Sequence, residues 1–287
     1  MIGLLLAGGS GSRMWPLTVT SSKQLLPVYD KPMIFYSLST LMLAGIRDVF
    51  VVCNPQYEKS FQNILQDGDK FGINIRYLLQ KEPKGIAQVF ELVPKEFCQN
   101  DTFLVLGDNL FYGMGVGSSL NQVYKGSGAL AFAYKVSNPS DYGVVQLGVN
   151  NEALRIVEKP KEFVSNMAIP GMYFFDRKVY DFQKNLKPST RGELEITDLL
   201  NMYLEIKSLS ISILERGTAW LDTGNPDSLL DAAEFVRVIE KRQGLKIGCP
   251  EEIALRQGFI SKVELEKTIQ AYPDGEYKKY LKNLLYE

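Results

Sequence analysis

Short apolar runs alternate with amphipathic segments along the first part of the chain. Three of the runs contain no charged or polar side chain: residues 2–7, 49–53 and 103–106. Such runs are typical of strands that are buried on both faces of a parallel sheet. Between the first two runs, Ile34, Leu38 and Leu41 repeat with a helical period, which predicts a helix that ends near Gly45. The pattern continues with a helix and a strand predicted at residues 57–65 and 73–79.

The middle of the chain is richer in strand patterns and the end is richer in helix patterns. Strands separated by Gly, Pro, Asn and Ser turns are predicted at residues 129–134, 142–147, 153–158, 172–175 and 209–214. Helices are predicted at residues 193–204 and 227–240, followed by short helices from Lys246 onward. We therefore predict an α/β fold with a Rossmann-like mixed, largely parallel sheet flanked by helices. A β-rich middle part and a helical C-terminal appendage complete this prediction.

Composition narrows the possible chemistry further. The 287 residues include 32 Lys and Arg against 33 Asp and Glu, a net charge of −1, and they include no His. The near-neutral charge argues against a nucleic-acid partner bound by bulk electrostatics. The lack of His excludes His-based acid–base catalysis, Ser-His-Asp triads and His-ligated zinc. The chemistry therefore has to rely on carboxylates, Lys, Arg, backbone groups and, where one is needed, a hard metal ion.

The cysteines and the apolar runs also bear on location. The chain has an odd number of cysteines that lie far apart, Cys53, Cys98 and Cys249. This pattern predicts a protein of a reducing cytosol that has neither a disulfide framework nor a zinc site. The first residues lack the basic segment and the long apolar run of a signal peptide. No stretch approaches the roughly 20 apolar residues that cross a bilayer. We therefore expect a cytoplasmic protein without a membrane partner.

A glycine-rich segment, LAGGSGSR at residues 6–13, follows the first predicted strand. Glycines let the backbone approach a ligand closely, so that successive N–H groups can face phosphate oxygens. The segment fits neither a Walker A motif nor a dinucleotide fingerprint, because Met14 stands where the third glycine is needed. Arg13 and Lys23 on the following extended loop suit the β- and γ-phosphates of a nucleoside triphosphate. The alternative is a tight turn at the strand exit with solvated charges.

Two carboxylates follow apolar runs, Asp108 in LGDN and Asp222 in WLDTG. Ligands of α/β proteins bind at the carboxyl ends of parallel strands, and Mg²⁺ prefers one or two carboxylates together with substrate phosphates. Two such carboxylates can share one octahedral ion. The alternative for each is an ordinary turn or cap residue.

Two further segments combine a cation with carboxylates. Strand alternation predicts that Glu158 and Lys159 point to opposite faces unless a bulge intervenes, and an exposed strand end is the alternative. Thr190 and Glu193 fit a capping box, which predicts that Arg191 lies in the first turn of a helix near free N–H groups. A plain capped helix with a solvated Arg is the alternative there.

The chain resembles the bacterial glucose-1-phosphate thymidylyltransferases of the sugar-nucleotidyltransferase family. The resemblance is carried by LAGGSGSR, SKQLLPVYDKPMI, LGDN, RGELEITD and WLDTG, at residues 6–13, 22–34, 106–109, 191–198 and 220–224. It implies that the chain transfers a thymidylyl group from dTTP to glucose 1-phosphate. The products implied are dTDP-glucose and pyrophosphate, and the implied cofactor is Mg²⁺. The dTDP-glucose would be used to synthesise dTDP-deoxysugars such as dTDP-rhamnose, and in turn lipopolysaccharide.

The resemblance also implies roles for individual residues. The residues implied to bind the nucleotide are Gly8, Gly9, Ser10, Gly11, Ser12, Arg13, Lys23, Gln24, Gln80 and Gly85, of which Gln80 and Gly85 contact the thymine edge. Those implied to bind the sugar phosphate are Asn109, Tyr142, Gly143, Glu158, Lys159, Gly171, Tyr173 and Arg191. Arg13, Lys23, Lys159 and Arg191 are implied to be catalytic, and Asp108 and Asp222 are implied to hold the metal. The sequence departs from the usual family pattern at Lys84, which is commonly acidic, and at Pro170.

Domain organisation and assembly also follow from the resemblance. It implies a catalytic domain at residues 1–226, with a nucleotide part up to about 110 and a sugar part at 111–226. Residues 227–287 would form a helical region that serves as an oligomer or regulatory interface in a homotetramer. The residues that match an inhibitory second nucleotide site are Tyr112, Gly113, Cys249, Glu252, Ile253 and Arg256, whereas Met114 to Ser119 do not match it.

Three alternative functions stay open. One is a uridylyltransferase, or a thymidylyltransferase that acts on another hexose 1-phosphate. Another is a nucleotide-sugar sensor that binds without turnover, against which the complete set of Asp108, Asp222, Lys159 and Arg191 argues. The third, a nicotinamide oxidoreductase, fits poorly because the third fingerprint glycine is missing.

Overall fold

A ten-stranded mixed sheet dominates the fold of the described residues, which are 1–9, 11–113 and 120–286 of a computed structural model. The strands are β1 (Ile2–Ala7), β2 (Pro27–Val28), β3 (Lys31–Pro32), β4 (Asp48–Cys53), β5 (Asn74–Leu79), β6 (Thr102–Leu106), β7 (Asn109–Tyr112), β8 (Ala129–Lys135), β9 (Gly143–Leu147), β10 (Ala153–Glu158), β11 (Met167–Ala168), β12 (Met172–Phe175), β13 (Leu209–Ile213) and β14 (Ala219–Asp222). The helices are α1 (Ile34–Leu43), α2 (Glu58–Leu65), α3 (Val89–Leu92), α4 (Leu120–Val123), α5 (Val179–Phe182), α6 (Ile196–Glu205), α7 (Pro226–Gln243), α8 (Pro250–Arg256), α9 (Lys262–Gln270) and α10 (Glu276–Asn283).

The strand order in the large sheet is β10-β9-β11-β8-β12-β6-β1-β4-β5, and β13 pairs with β8 beside this path. The strands β6, β1, β4 and β5 are mutually parallel, whereas β12 runs antiparallel between β6 and β8. The carboxyl ends of the four parallel strands therefore meet at one edge, where α/β sheets bind ligands. Strands β7 and β14 pair apart from the large sheet, and β2 and β3 form a short hairpin.

The continuous apolar runs form strands because both faces of the sheet are covered. In β1, Ile2 and Leu4 lie in a core cluster on one face, while Leu5 and Ala7 lie in the cluster on the other face. Helices α1, α2 and the C-terminal helices cover the second of these faces, and α3, α5 and α6 cover the first. A strand with two buried faces needs apolar residues at every position, which explains the absence of polar alternation.

The predicted fold class is confirmed by this architecture. The predicted strands and helices begin within about two residues of their expected starts, and the short helices expected from Lys246 onward are α8, α9 and α10. The helix expected from residue 193 is an exception, because it begins at Ile196. No helix among the described residues combines the length and the apolar character that crossing a bilayer requires.

A buried ionic cluster joins the β2–β3 hairpin to the end of α7. Lys31, whose side chain is 2% exposed, donates to Asp30 at 2.6 Å and to Glu240 at 2.9 Å. Lys246 also contacts Asp30 and bonds to Glu240 at 3.1 Å, while the backbone N–H of Ile247 donates to Glu240 at 2.9 Å. The two cations lower the pKa of Asp30 against the opposing effect of burial. The cluster connects the segment that carries Lys23 with the C-terminal region.

We expect Lys31→Met to lower the free energy of unfolding by about 3 kcal/mol, because it leaves two mostly buried carboxylates with a single cation. Urea denaturation of the purified variant measures this change.

Lys184→Met is the matched control for that experiment. Lys184 bonds to Asp181 at 2.8 Å, but both side chains are more than two-thirds exposed, at 68% and 79%. Exposed ion pairs add little to stability, so this variant should unfold nearly as the wild type does. Equal losses in the two variants would contradict a structural role for the buried cluster.

Candidate active site

Two neighbouring cavities open at the carboxyl edge of the parallel strands. Gly8 follows β1, Asp108 follows β6 and Gln80 follows β5, so three strands deliver these residues to one edge. The larger cavity measures about 320 Å³ and the smaller about 260 Å³. Gly8, Arg13, Gln24 and Asp108 line both of them. The two cavities are therefore parts of one cleft.

The cleft brings together most of the residues that the sequence nominates. The larger cavity contains Gly8, Arg13, Gln24, Asp108, Asn109, Tyr142, Gly143, Glu158, Lys159, Gly171, Tyr173, Arg191 and Asp222. The smaller cavity adds Gly9, Gly11, Ser12 and Lys23. Gln80 and Gly85 line neither cavity, although Gln80 lies directly against Gly8, where an added Cβ would collide with its Oε1. Ser10 lies outside the described residues.

The loop after β1 is built from tight turns. Gly11 adopts a φ of +58° before a 3₁₀ turn at Ser12–Met14, and the Thr18 hydroxyl donates to the Gly11 carbonyl at 3.1 Å. A second 3₁₀ turn, Lys23–Leu25, carries Lys23, whose ammonium donates to Asp108 at 2.6 Å. The loop therefore presents Arg13 and Lys23 to the cleft from two short turns rather than from one extended segment.

Asp108 and Asp222 are brought together by the pairing of β7 with β14, in which Asp222 lies opposite Asn109. The N–H and hydroxyl of Thr223 both donate to the Asp108 carbonyl, at 3.1 and 2.9 Å. Burial and the nearby charge of Asp108 raise the pKa of Asp222 to about 6. Two neighbouring carboxylates that offer oxygen ligands are suited to a hard divalent cation. The residues present therefore fit Mg²⁺.

Glu158 and Lys159 both line the larger cavity, against the expectation that they face opposite ways. The strand ends at Glu158, and Lys159 adopts a φ of +40° while its N–H donates to the Tyr142 carbonyl at 3.1 Å. This left-handed turn replaces strand alternation. Gly143 leaves little space beside them, since a Cβ there would lie 3.1 Å from the Glu158 carboxylate and 2.8 Å from the Thr197 methyl group.

The prediction that Arg191 lies in the first turn of a helix is wrong. Helix α6 begins at Ile196 with Glu195 as its N-cap, so Thr190 and Glu193 form no capping box. Gly192 turns the chain at a φ of +77°, and Leu194 makes two backbone hydrogen bonds with the segment after β5. These long-range bonds hold residues 189–195 as a loop, which overrides the local helix signal.

Carboxylates hold Arg191 on this loop. Glu195 accepts from its Nε at 3.1 Å and its Nη2 at 2.8 Å, while Glu158 and Glu193 lie at 3.3 Å. The hydrogen bond to Glu195 raises the pKa of Arg191. Burial, with the charge of Glu195, raises the pKa of Glu158. In contrast, no carboxylate in the described part of the chain forms an ion pair with Arg13 or Lys159.

The Asn109 side chain forms hydrogen bonds with three other residues that line the larger cavity. Its Oδ1 accepts from the Trp220 indole at 2.7 Å and from the Gly171 N–H at 2.9 Å, while its Nδ2 donates to Asp108 at 2.9 Å. Gly171 has no room for a side chain, because a Cβ would lie 2.6 Å from Leu106. Asn109 therefore fixes the orientation of the Asp108 carboxylate.

Sequence reasoning missed several residues that shape the cleft. Glu195 holds Arg191, and its spacing of four residues from Arg191 was an available signal. Trp220 stands in a nominated segment, but only the fold shows that its indole reaches Asn109. Others that line the larger cavity are Leu6, Ile86, Leu106, Asp141, Ile169, Glu193, Ile196 and Thr197.

A third cavity, of about 500 Å³, lies apart from this cleft. It is lined by all six residues nominated for a regulatory site, Tyr112, Gly113, Cys249, Glu252, Ile253 and Arg256. Met114 to Ser119, which depart from the family pattern, lie outside the described residues. Glu252 accepts from the Arg256 Nε at 2.7 Å. The nominated residues thus share one concave surface, and its regulatory role stays a prediction.

The arrangement suits charge-balanced chemistry on phosphate esters. Cations from three separate segments, namely Arg13, Lys23, Lys159 and Arg191, surround two carboxylates that suit a divalent ion. Such a set can bind two phosphorylated molecules side by side and stabilise the charge that moves between them.

Comparison with known proteins supports this interpretation. Residues 2–238 match the family model described as nucleotidyl transferase. The chain is 52% identical to a glucose-1-phosphate thymidylyltransferase of Mycolicibacterium smegmatis over 99% of both chains, and 51% identical to one of Neisseria meningitidis over the same shares.

Solved structures agree. A candidate glucose-1-phosphate thymidylyltransferase from Bacillus anthracis, in complex with sucrose, is similar with a TM-score of 0.76 at 34% identity, over 83% of this chain and 96% of that chain. A UDP-glucose pyrophosphorylase complexed with UDP-glucose shares the fold with a TM-score of 0.72 at 23% identity, over 84% and 99%. The resemblance stated from the motifs is confirmed, and the chain belongs to the nucleotidyl transferase family.

Proposed function

We propose that this enzyme transfers a thymidylyl group from dTTP to glucose 1-phosphate, giving dTDP-glucose and pyrophosphate. The observation that carries the proposal is the ring of Arg13, Lys23, Lys159 and Arg191 around one cleft that also contains Asp108 and Asp222. Relatives at about half identity over almost the whole chain carry the name of this activity. The cleft thus offers cations to the phosphates of the nominated substrates, beside carboxylates whose charge a divalent ion would neutralise.

The reaction needs positioning more than proton transfer. The phosphate oxygen of glucose 1-phosphate is already charged, so its attack on the α-phosphorus requires no general base, which fits a chain without His. Its approach is opposed by the charge of the triphosphate. Lys159 and Arg191 offset the charge of the attacking phosphate, and Arg13 and Lys23 stabilise the departing pyrophosphate.

The carboxylates of Asp108 and Asp222 would hold Mg²⁺ in this proposal. When bound there, the ion would neutralise charge on the α-phosphoryl group and on pyrophosphate. Lys23 bonds to Asp108 at 2.6 Å in this structure. A bound Mg²⁺ would therefore compete with Lys23 for the Asp108 carboxylate, and phosphate oxygens would compete with Asp108 for the Lys23 ammonium. Asn109 keeps the Asp108 carboxylate oriented through its 2.9 Å bond.

The remaining residues divide between the two substrates. Gly8, Gly9, Gly11, Ser12 and Gln24 surround the triphosphate in this assignment. The resemblance assigns Ser10, which lies outside the described residues, to the same substrate. Gln80 and Gly85 contact the base. For the sugar, the hydroxyl-binding groups in this assignment are the Glu158 carboxylate and the backbone around Tyr142, Gly143 and Gly171, and Tyr173 would pack against the sugar.

The wider setting is also proposed. A thymidylyltransferase of this kind supplies dTDP-deoxysugar synthesis, such as that of dTDP-rhamnose, in the cytoplasm. We propose a homotetramer with residues 227–287 at its interfaces, and a second nucleotide site in the third cavity.

The direct test incubates the protein with dTTP, glucose 1-phosphate and Mg²⁺. We expect equimolar pyrophosphate and dTDP-glucose, measured by coupled phosphate release and by chromatography. UTP and other hexose 1-phosphates in the same assay distinguish a uridylyltransferase or another sugar specificity by kcat/KM. Binding of both substrates without pyrophosphate release would support the sensor instead.

Lys159→Ala should lower kcat/KM by the factor that corresponds to a loss of roughly 3 kcal/mol of transition-state stabilisation, because one charge contact to the sugar phosphate is lost. Lys161→Ala is the matched control, since Lys161 is exposed and lines no part of the cleft. Steady-state kinetics with both variants measure the difference. Near-normal turnover of Lys159→Ala would refute the role of this side chain.

Asp108→Asn and Asp222→Asn should each raise the Mg²⁺ concentration needed for half-maximal activity by about tenfold or more, a scale seen even for indirect metal partners. Asp227→Asn, at an exposed position in the first turn of α7, serves as the control. Titration of activity against Mg²⁺ gives the result. If only one of the two cleft variants responds, the carboxylates do not share an ion.

A further inference from the structure

Gln80 is a buried polar side chain with one hydrogen-bonding atom unused. The residue is 4% exposed, and its backbone N–H donates to the Cys53 carbonyl at 2.9 Å, which fixes it at the end of β5. Its Nε2 donates to the Oε1 of Gln88 at 2.8 Å. Within residues 1–9, 11–113 and 120–286, no group donates to Gln80 Oε1. That oxygen lies over Gly8, a residue that lines both cavities.

The orientation of both amides follows from a single backbone group. The N–H of Lys84 lies 2.9 Å from the side-chain amide of Gln88. A backbone N–H can only donate, so the Gln88 atom that faces it must be the oxygen. The same oxygen lies 2.8 Å from the Gln80 amide, and that contact therefore requires the Gln80 nitrogen. Gln80 Oε1 is thereby directed to the opposite side, over Gly8.

The segment between these two glutamines is rigidly supported. Leu194 donates to the Lys84 carbonyl at 2.7 Å and accepts from the Ala87 N–H at 3.1 Å. Gly85, at a φ of +103°, has no space for a Cβ against the Leu194 backbone. Because Leu194 holds the backbone of Lys84 in place, the Lys84 N–H donates to the Gln88 oxygen from a fixed position.

We propose that Gln88 is a specificity-determining positioning residue, which locks the Gln80 amide so that an acceptor oxygen faces the nucleotide base. This inference rests on the proposed nucleotidyl transfer, in which Gln80 contacts the base. Thymine and uracil both present a donor at N3, whereas cytosine presents an acceptor there. A locked acceptor favours the first two bases and leaves a buried oxygen facing a lone pair with the third. Gln88 thereby acts through Gln80 without touching the nucleotide.

Gln88→Met tests the proposal, because a side chain of similar length loses the acceptor and frees the Gln80 amide to turn. We expect the ratio of kcat/KM for dTTP to that for dCTP to fall by at least roughly tenfold, mainly through KM for dTTP. A Gln80 amide turned to present its nitrogen can donate to cytosine N3, so dCTP should improve in absolute terms. Gln88→Leu repeats the test should the first variant fail to fold.

Gln88→Glu is the matched control. Its carboxylate still offers oxygens to the Lys84 N–H and the Gln80 nitrogen, so the preference for dTTP over dCTP should be retained. Thermal unfolding of each variant shows how much of any change is structural. A purely structural role would lower kcat/KM for both nucleotides by the same factor.

Two measurements separate this inference from the proposed function. Kd values for dTTP and dCTP by calorimetry report base preference without turnover, and pyrophosphate release reports turnover. An unchanged dTTP-to-dCTP ratio in Gln88→Met overturns the inference and leaves thymidylyl transfer intact. A wild-type protein that binds dTTP in preference to dCTP but releases no pyrophosphate overturns the function alone, and its binding ratio still tests Gln88.

Discussion

Charge balance within the cleft is the constraint on which the structure of this site depends. Cations and carboxylates that leave bulk water need partners, and here they find them in each other. Lys23 bonds to Asp108, and Arg191 bonds to Glu195. Arg13 and Lys159, for which the described residues include no carboxylate ion-pair partner, keep their positive charge available for phosphates. The cleft therefore offers these two cations to anions, although six carboxylates also line it.

The fold meets this constraint by bringing distant segments to one sheet edge. Parallel strands with apolar residues on both faces place their carboxyl ends side by side, and three of these ends supply Gly8, Gln80 and Asp108. The β7–β14 pairing then adds Asp222 from a segment more than a hundred residues away from Asp108. The hydrophobic core therefore sets the positions of the two carboxylates, whereas short turns and hydrogen-bonded loops position Arg13, Lys23 and Arg191.

The core could be predicted from sequence because strands that are buried on both faces appear in the sequence as continuous apolar runs. Residues 2–7 and 103–106 are apolar throughout, and they form the strands expected of them. The errors arise where long-range bonds override a local signal. The capping pattern of Thr190 and Glu193 yields to backbone pairing between Leu194 and residues 84–87, and the alternation at Lys159 yields to a left-handed turn. Most site residues were nominated by resemblance, since spacing alone left each one ambiguous.

The pairing of Leu194 also links the two halves of the proposed reaction. The loop that carries Arg191, assigned to the sugar phosphate, is hydrogen-bonded to the segment between Gln80 and Gln88, assigned to the base. Two backbone bonds at 2.7 and 3.1 Å leave little freedom for one segment to move alone. An in-line displacement tolerates only small errors in the relative placement of its reactants. A shared backbone support is therefore a physical reason for the two substrates to keep a constant separation.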